Sequence, residues 1–407
     1  VRTLGSSDHV VVVGAGLAGW RLCESLRREG YDGAISLIGD EPDAPYDRPP
    51  LSKQVLAGKW ALDQATLATP ERLAAADVSL HLDAAAVSLD AEAASVQLSD
   101  GRELAGTRVV VATGSRARNL PFAAMEHLYT LRQRRDAARL ISAVESLAPS
   151  TTVVVIGGGF VGAEVATSLH ARGLSPLVLE GAARPLINVL GEEVSSWLVG
   201  LPGAAGIELR NDQRIDDVVV DGDDLAVVLG DERIVTPLVV VAAGAAPNVE
   251  WLSDSGLTLD NGVVVDEEFR AAERVAAIGD VAHFSWPSVA GTESIRIEHW
   301  QNGNDQAHAL ARAWTSGTAT SEFTVPYFWS DQYGKKIQML GHPHASDDVT
   351  RVLHDEPAGR FTALYSRDGL VTGVVTLSQP RALMLSKVLL DAPTTLARAL
   401  DHAPWAA

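Results

Sequence analysis

At two places the apolar positions fall into unbroken runs rather than alternations, and both runs end in glycines. HVVVV at 9–13 passes into Gly14-Ala15-Gly16-Leu17-Ala18-Gly19, and TVVVI at 152–156 passes into Gly157-Gly158-Gly159-Phe160-Val161-Gly162. Continuous apolar runs of this length predict strands. Each is followed by a stretch of helical periodicity and then by a second apolar run, ISLIGDE at 35–41 and PLVLEG at 176–181. VVVATG at 109–114 is answered by VVVAAG at 239–244. The turn signals in LSDGREL (98–104) and VDGDDLAVVL (220–229) predict a small antiparallel meander before each. The chain is internally duplicated, as strand, glycine turn, helix, strand. From about 326 the pattern changes to short strands with one hairpin at Asp368-Gly369, followed by an amphipathic helix in QPRALMLSKVLL.

A glycine turn between a strand and a helix is built for a dinucleotide. One glycine tolerates positive φ, the next lets main chain approach a pyrophosphate, and the third lets helix and strand close up. The helix N-terminus then offers unpaired N–H groups to the phosphates. Two such turns, Gly14, Gly16 and Gly19, then Gly157, Gly159 and Gly162, predict a flavoprotein that also takes a nicotinamide. Glu180, closing the second strand of the second copy, suits an adenosine ribose and repels a 2′-phosphate, which favours NADH over NADPH.

Composition narrows the classes. A chain of 407 residues with 46% hydrophobic content predicts two or three domains. Its 33 basic and 52 acidic residues give 33 − 52 = −19, which argues against nucleic acid as a partner. No apolar run reaches the ~18–20 residues of a membrane span, so no membrane insertion and a cytoplasmic location are expected. The single cysteine, Cys23, rules out an internal disulfide, a CxxC pair and a cysteine zinc site. His342-Pro343-His344 reads as a surface turn, and no metal site is expected.

PYDRPPLSK at 45–53 holds two adjacent prolines, which predicts a stiff extended loop rather than helix or central strand. With the first glycine turn, ATG at 112–114, GGGFVGAE, AIGD at 277–280, EHWQN at 298–302 and FWSDQY at 328–333, it completes an ordered set of motifs. That set resembles the NADH-dependent ferredoxin and rubredoxin reductases of bacterial oxygenase systems, the family of putidaredoxin reductase and biphenyl dioxygenase reductase. The resemblance implies an α/β fold with two Rossmann-like domains in a glutathione-reductase-like arrangement and a C-terminal α+β interface domain. It places an FAD domain at 1–118 and 245–325, an NADH domain at 119–244 and the C-terminal domain at 326–407.

The resemblance also implies site residues. Gly14, Gly16, Ala18 and Gly19 would cradle the FAD pyrophosphate with Asp40 near its adenosine ribose. Arg48, Lys53, Ala86, Arg132, Asp280, His299 and Trp300 would surround the flavin. Gly157, Gly159, Gly162, Glu180 and Gly244 would hold NADH, with Glu298 and Trp329 near its nicotinamide end. Lys53 is the candidate catalytic cation, and Glu164 the carboxylate that keeps it charged. The implied activity is electron transfer from NADH through FAD to a small iron–sulfur ferredoxin or rubredoxin that supplies a haem monooxygenase or ring dioxygenase. An acidic ferredoxin would need a local basic patch, with Arg116, Arg118, Arg132, Arg134, Arg135 and Arg312 as candidates. The alternatives are a redox-sensing interaction protein like apoptosis-inducing factor, expected to carry a targeting segment and a C-terminal insertion, and an NADH oxidase, expected to use a cysteine.

Overall fold

The computed structural model describes residues 3–118, 120–122, 125–288, 291–317, 324–355 and 358–406. The chain divides into two compact units. One comprises Val1–Asp47, Thr66–Arg116 and Ala246–Pro326, the other Arg48–Ala65, Ala117–Ala245 and Tyr327–Ala407.

The valine run of the first unit is the strand His9–Val13, set between the parallel strands Ala34–Ile38 and Arg108–Val111. It is central to a six-stranded sheet. Val10, Val11 and Val12 have no exposed surface, which is why the run carries no polar alternation. The glycine turn leads into the helix Leu17–Arg28, whose apolar side buries Trp20, Leu22, Cys23 and Leu26. Arg27 ends that helix by donating to the carbonyls of Ala76, Tyr31, Gly33 and Asp77. The meander expected at LSDGREL is the three-stranded antiparallel sheet Ala86–Asp90, Ser95–Leu98 and Glu103–Ala105.

The second unit repeats this plan. Thr152–Ile156 lies between the parallel strands Ser175–Leu179 and Val239–Val241 in a five-stranded sheet, and Phe160–Ala171 is its turn helix. Asp217–Asp221, Asp224–Leu229 and Glu232–Thr236 form the matching meander. The same unit contains a five-stranded antiparallel sheet, Tyr327–Gln332 through Leu370–Leu377, in which the hairpin turn Asp368-Gly369 has positive φ at both residues (52° and 75°). That geometry is what a two-residue turn between right-twisted strands requires. The helix expected from QPRALMLSKVLL is Pro380–Ser386 with one further tight turn, Lys387–Leu389.

The proline-rich stretch corrects the sequence expectation. Tyr46 makes an isolated bridge with Thr66, but beyond it the chain coils, and Leu51–Val55 is a π-helical turn closed by Leu56 N–H to the Leu51 carbonyl at 3.2 Å. Pro49 and Pro50 stand in the first turn, where a helix has no use for the donors they lack. The prolines start a helix here instead of forbidding one.

Candidate functional site

The two glycine turns have the same main-chain construction. Gly14 N–H donates to the Ile38 carbonyl and Gly157 N–H to the Leu179 carbonyl, both at 2.8 Å. Their φ values are +119° and +104°, and a Cβ on either would strike the main chain of Ala112 or Ala242. A Cβ on Gly19 would strike the Gly14 carbonyl, and one on Gly162 the Gly157 carbonyl. At the middle glycines, Gly16 and Gly159, nothing lies within 4 Å of that point. The outer glycines are fixed by the chain itself, and the middle ones are left open, as close approach of a pyrophosphate requires. Both turns therefore fit a dinucleotide.

In the first unit AIGD folds onto this turn. Gly279 has φ +76° and a Cβ there would lie 2.9 Å from the Ala18 methyl. Gly279 N–H donates to Gln306 Oε1 at 2.6 Å, Ser115 Oγ donates to Asp280 Oδ2 at 3.1 Å, and Arg296 donates to the Asp280 carbonyl at 2.9 Å. Asp280 is thus brought to the glycine turn by main chain and by three side chains. His299 caps the helix Trp300–Ser316, and Trp300 Nε1 donates to Asp47 Oδ1 at 2.7 Å. Arg296 also pairs with Glu298. Gly303, in the EHWQN helix start, lies 3.6 Å from the Ala18 methyl at its Cβ position, an ordinary contact. Ala86 pairs with Leu98 at the edge of the meander, and Asp40 is exposed. The residue in register with Glu180 is Gly39, not Asp40, since Gly39 directly follows Ile38 as Glu180 follows Leu179.

In the second unit a cavity of about 740 Å³ opens beside the glycine turn, lined among others by Gly157, Gly159, Glu180 and Gly244. That is the usual size of a ligand pocket. Glu180 is held rigidly: Oε2 accepts from Gly158 N–H at 2.6 Å and Oε1 from Ala182 N–H at 2.8 Å. Gly244 has φ +94°, and its carbonyl accepts from Arg118 N–H at 2.9 Å. The sequence reading did not anticipate Leu120, Phe122, Gln213 and Ile215 in the lining, which come from two separate loops with no motif of their own.

The same unit contains the lysine–glutamate pair. Lys53 Nζ lies 2.9 Å from Glu164 Oε2, with the two side chains 12% and 5% exposed. Glu164 stands one turn into the helix Phe160–Ala171, and two residues further on the same face hold the lysine segment by its carbonyls. Ser168 Oγ donates to the Ser52 carbonyl at 2.7 Å, and Arg172 Nε to the Leu56 carbonyl at 2.5 Å. Positions 164, 168 and 172 follow the i, i+4, i+8 row of one helix face. Arg48 donates to the Arg132 carbonyl at 2.7 Å, and Trp329 stacks on Tyr327 with centroids 5.8 Å apart at 17°. Two serines were missed: Ser52 and Ser330 donate to opposite oxygens of Glu164, each at 2.6 Å. Each adjoins a residue already singled out, Lys53 and Trp329, but nothing local links them to a carboxylate over a hundred positions away.

Cys23 is sealed inside its helix, and burial pushes its thiol up to about 12. It is therefore no thiolate nucleophile. Of the candidate docking arginines, Arg116 is committed to Glu250 and to the Pro247 carbonyl, which weakens its claim.

Comparison with known proteins places this geometry. Residues 8–307 match the pyridine nucleotide-disulphide oxidoreductase family, and residues 327–404 match the reductase C-terminal family. The chain belongs to the pyridine nucleotide-disulphide oxidoreductase family. Within it, the chain is 34% identical to rhodocoxin reductase of Rhodococcus erythropolis, over 96% of this chain and 92% of that one. It is 33% identical to the ferredoxin–NAD(+) reductase subunit of the benzene 1,2-dioxygenase system of Pseudomonas putida, over 95% and 93%. Its fold matches the reductase in the covalent putidaredoxin reductase–putidaredoxin complex with a TM-score of 0.89 at 32% identity, covering 95% of this chain and 94% of that one. Membership of this reductase group makes it an oxidoreductase, an FAD flavoprotein that uses NADH. It departs from its family's name in one respect, because a chain with one cysteine has no internal disulfide to reduce.

Proposed function

We propose that this protein carries electrons from NADH through FAD to a small iron–sulfur ferredoxin, which in turn supplies a haem monooxygenase or a ring dioxygenase. The observation that carries this reading is the pair of identically built glycine turns in one chain whose only cysteine is sealed in a helix. Two dinucleotide sites without a thiol relay leave an external one-electron acceptor as the outlet. Bound FAD supplies a ring that accepts electrons in a pair and releases them singly.

The residues divide the work. Gly14, Gly16, Ala18 and Gly19 receive the FAD pyrophosphate against the N-terminus of the first-turn helix. Asp280, fixed by Ser115 and by the turn onto Ala18, orients the ribityl side, with Asp40 at the adenosine end and Arg48, Ala86, Arg132, His299 and Trp300 around the ring. Gly157, Gly159, Gly162 and Gly244 receive NADH, while the carboxylate of Glu180 accepts from its ribose and disfavours a 2′-phosphate. Glu298 and Trp329 stand at the nicotinamide end. Lys53, paired with Glu164, would place a cation beside the ring, where it favours negative charge. In domain terms, residues 1–118 and 245–325 serve FAD, 119–244 serve NADH and 326–407 form the interface domain. Among the described residues no helix is long and apolar enough to cross a membrane; we place the protein in the cytoplasm, where NADH is supplied.

The test mixes the purified protein with NADH, a panel of ferredoxins and cytochrome c as final acceptor. At least one ferredoxin should accelerate cytochrome c reduction strongly. NADH oxidation that no ferredoxin speeds up would defeat the proposal in favour of an oxidase.

A further inference from the structure

Glu164 is more heavily ligated than an ion pair needs. Lys53 Nζ and Ser52 Oγ both reach Oε2, at 2.9 and 2.6 Å, while Ser330 Oγ reaches Oε1 at 2.6 Å. The carboxylate is 4% exposed and Ser330 has no exposed surface. Behind Ser330, Gln332 Nε2 donates to Ser330 Oγ at 3.3 Å, so the hydroxyl proton is turned toward Glu164. Lys53 is the only charged side chain within ion-pair distance of Glu164 among the described residues. The lysine itself has one other acceptor, the Pro49 carbonyl, at 3.4 Å.

The geometry has a physical consequence. A buried carboxylate with one partner can rotate about its last torsion, whose preferences are broad. Hydroxyls on both oxygens remove that freedom and leave Oε2 fixed in front of Lys53. The π-helical turn makes this possible, because its wide winding lets the neighbours Ser52 and Lys53 reach one oxygen. Ser330 arrives from a different element, the strand Tyr327–Gln332.

We infer that Ser52 and Ser330 are positioning residues, a hydroxyl pair that locks the Glu164 carboxylate and through it sets the place of the Lys53 ammonium. The inference rests on the role proposed above for Lys53. Both serines act through Glu164.

The test uses holoenzyme of wild type, Ser52→Ala, Ser330→Ala and the double variant. Flavin content and NADH affinity should stay within about twofold of wild type. Reduction of the flavin by NADH should slow about tenfold in each single variant, the loss expected for one hydrogen bond to a charged acceptor. Independently of turnover, acylation of Lys53 by acetic anhydride, read by mass spectrometry against the exposed Lys59 and Lys387, should speed up several-fold. Wild-type reduction rates and unchanged Lys53 acylation in the double variant would overturn the inference. If NADH fails to reduce even the wild-type flavin, the functional reading fails, while the acylation rates still decide the role of the serines.

Discussion

The two glycine turns make the same main-chain contacts, and among the positions where they differ is one exchanged pair of residues. In the first, the strand after the helix ends on Gly39 and the turn carries Ala15; a Cβ on Gly39 would lie 2.7 Å from the Ala15 methyl. In the second, the strand ends on Glu180 and the turn carries Gly158, where a Cβ would lie 3.0 Å from Glu180 Oε2. One side chain fits across each turn, and the two copies have made opposite choices about which residue supplies it. The first turn gives up the carboxylate and keeps a methyl. The second gives up the methyl and keeps a carboxylate, braced by Gly158 N–H. The lesson is that the outer glycines fix the main chain of each turn, while the exchanged pair decides whether a carboxylate or a methyl stands beside it.

Further along the two helices the copies diverge again. Glu164 corresponds in spacing to Arg21, which turns to Glu24 on its own helix at 2.9 Å. Ser168 corresponds to Ser25, whose hydroxyl meets His308 Nδ1 at 2.6 Å. The second helix turns both positions to the lysine segment, whereas the first uses one for an ion pair within itself and the other for contact with the helix Trp300–Ser316.

The largest effect should come from closing either turn at its third glycine. Gly19→Ala and Gly162→Ala each drive a methyl into a carbonyl, a local overpacking worth about 1–3 kcal/mol. Gly19→Ala should purify with its flavin absorbance lost. Gly162→Ala should stay yellow but be reduced by NADH about 100-fold more slowly, the penalty of a misplaced reactant. Variants that lost the same property would break the division of labour between the units.

A subtler test exchanges the pair. Gly158→Ala together with Glu180→Gly rebuilds the first copy's choice in the second turn. The double variant should keep its melting temperature within a few degrees, while KM for NADH rises about tenfold, near the worth of one charge-assisted hydrogen bond. Gly158→Ala alone, with Glu180 retained, should melt lower than the double variant. Additive effects in this cycle would show that the two positions do not compete for the same space.

The smallest effect concerns pH. Burial, with Arg28 next, holds the His308 imidazole below its ordinary value. The unfolded chain therefore takes up the proton first, and stability from a neutral His308 is complete above about pH 6.5 and lost as pH falls below it. Amide exchange in Leu17–Arg28 should quicken between about pH 7 and 5.5, and His308→Gln should abolish the change. Phe160–Ala171, whose Ser168 meets a carbonyl that does not titrate, should show no such response.

Sequence alone was enough to find both turns, because a dinucleotide cradle imposes local spacing: a buried run, three glycines with distinct duties, a helix start. It also pointed to Glu180 in the pocket and, through the family resemblance, to Lys53 and Glu164 as partners. It could not locate the register offset that puts Gly39 where Glu180 has its counterpart, because one position along a strand changes which way a side chain points and two adjacent acids, Asp40 and Glu41, mask the glycine. It misread PYDRPPLSK as extended, since prolines that break a helix interior are welcome in a first turn, and only the path of the chain says which applies.

What the sequence by itself determined is the duplicated plan and its chemistry, because glycine spacing and unbroken apolar runs are short-range constraints that read the same in any context. What only the tertiary structure decided is how Glu164 is held. Its carboxylate draws Ser52, Lys53 and Ser330 from positions 112, 111 and 166 residues away in the chain. Nothing in local spacing records that meeting, because removing a charge from water is tolerable only where the fold delivers enough donors to replace the solvent.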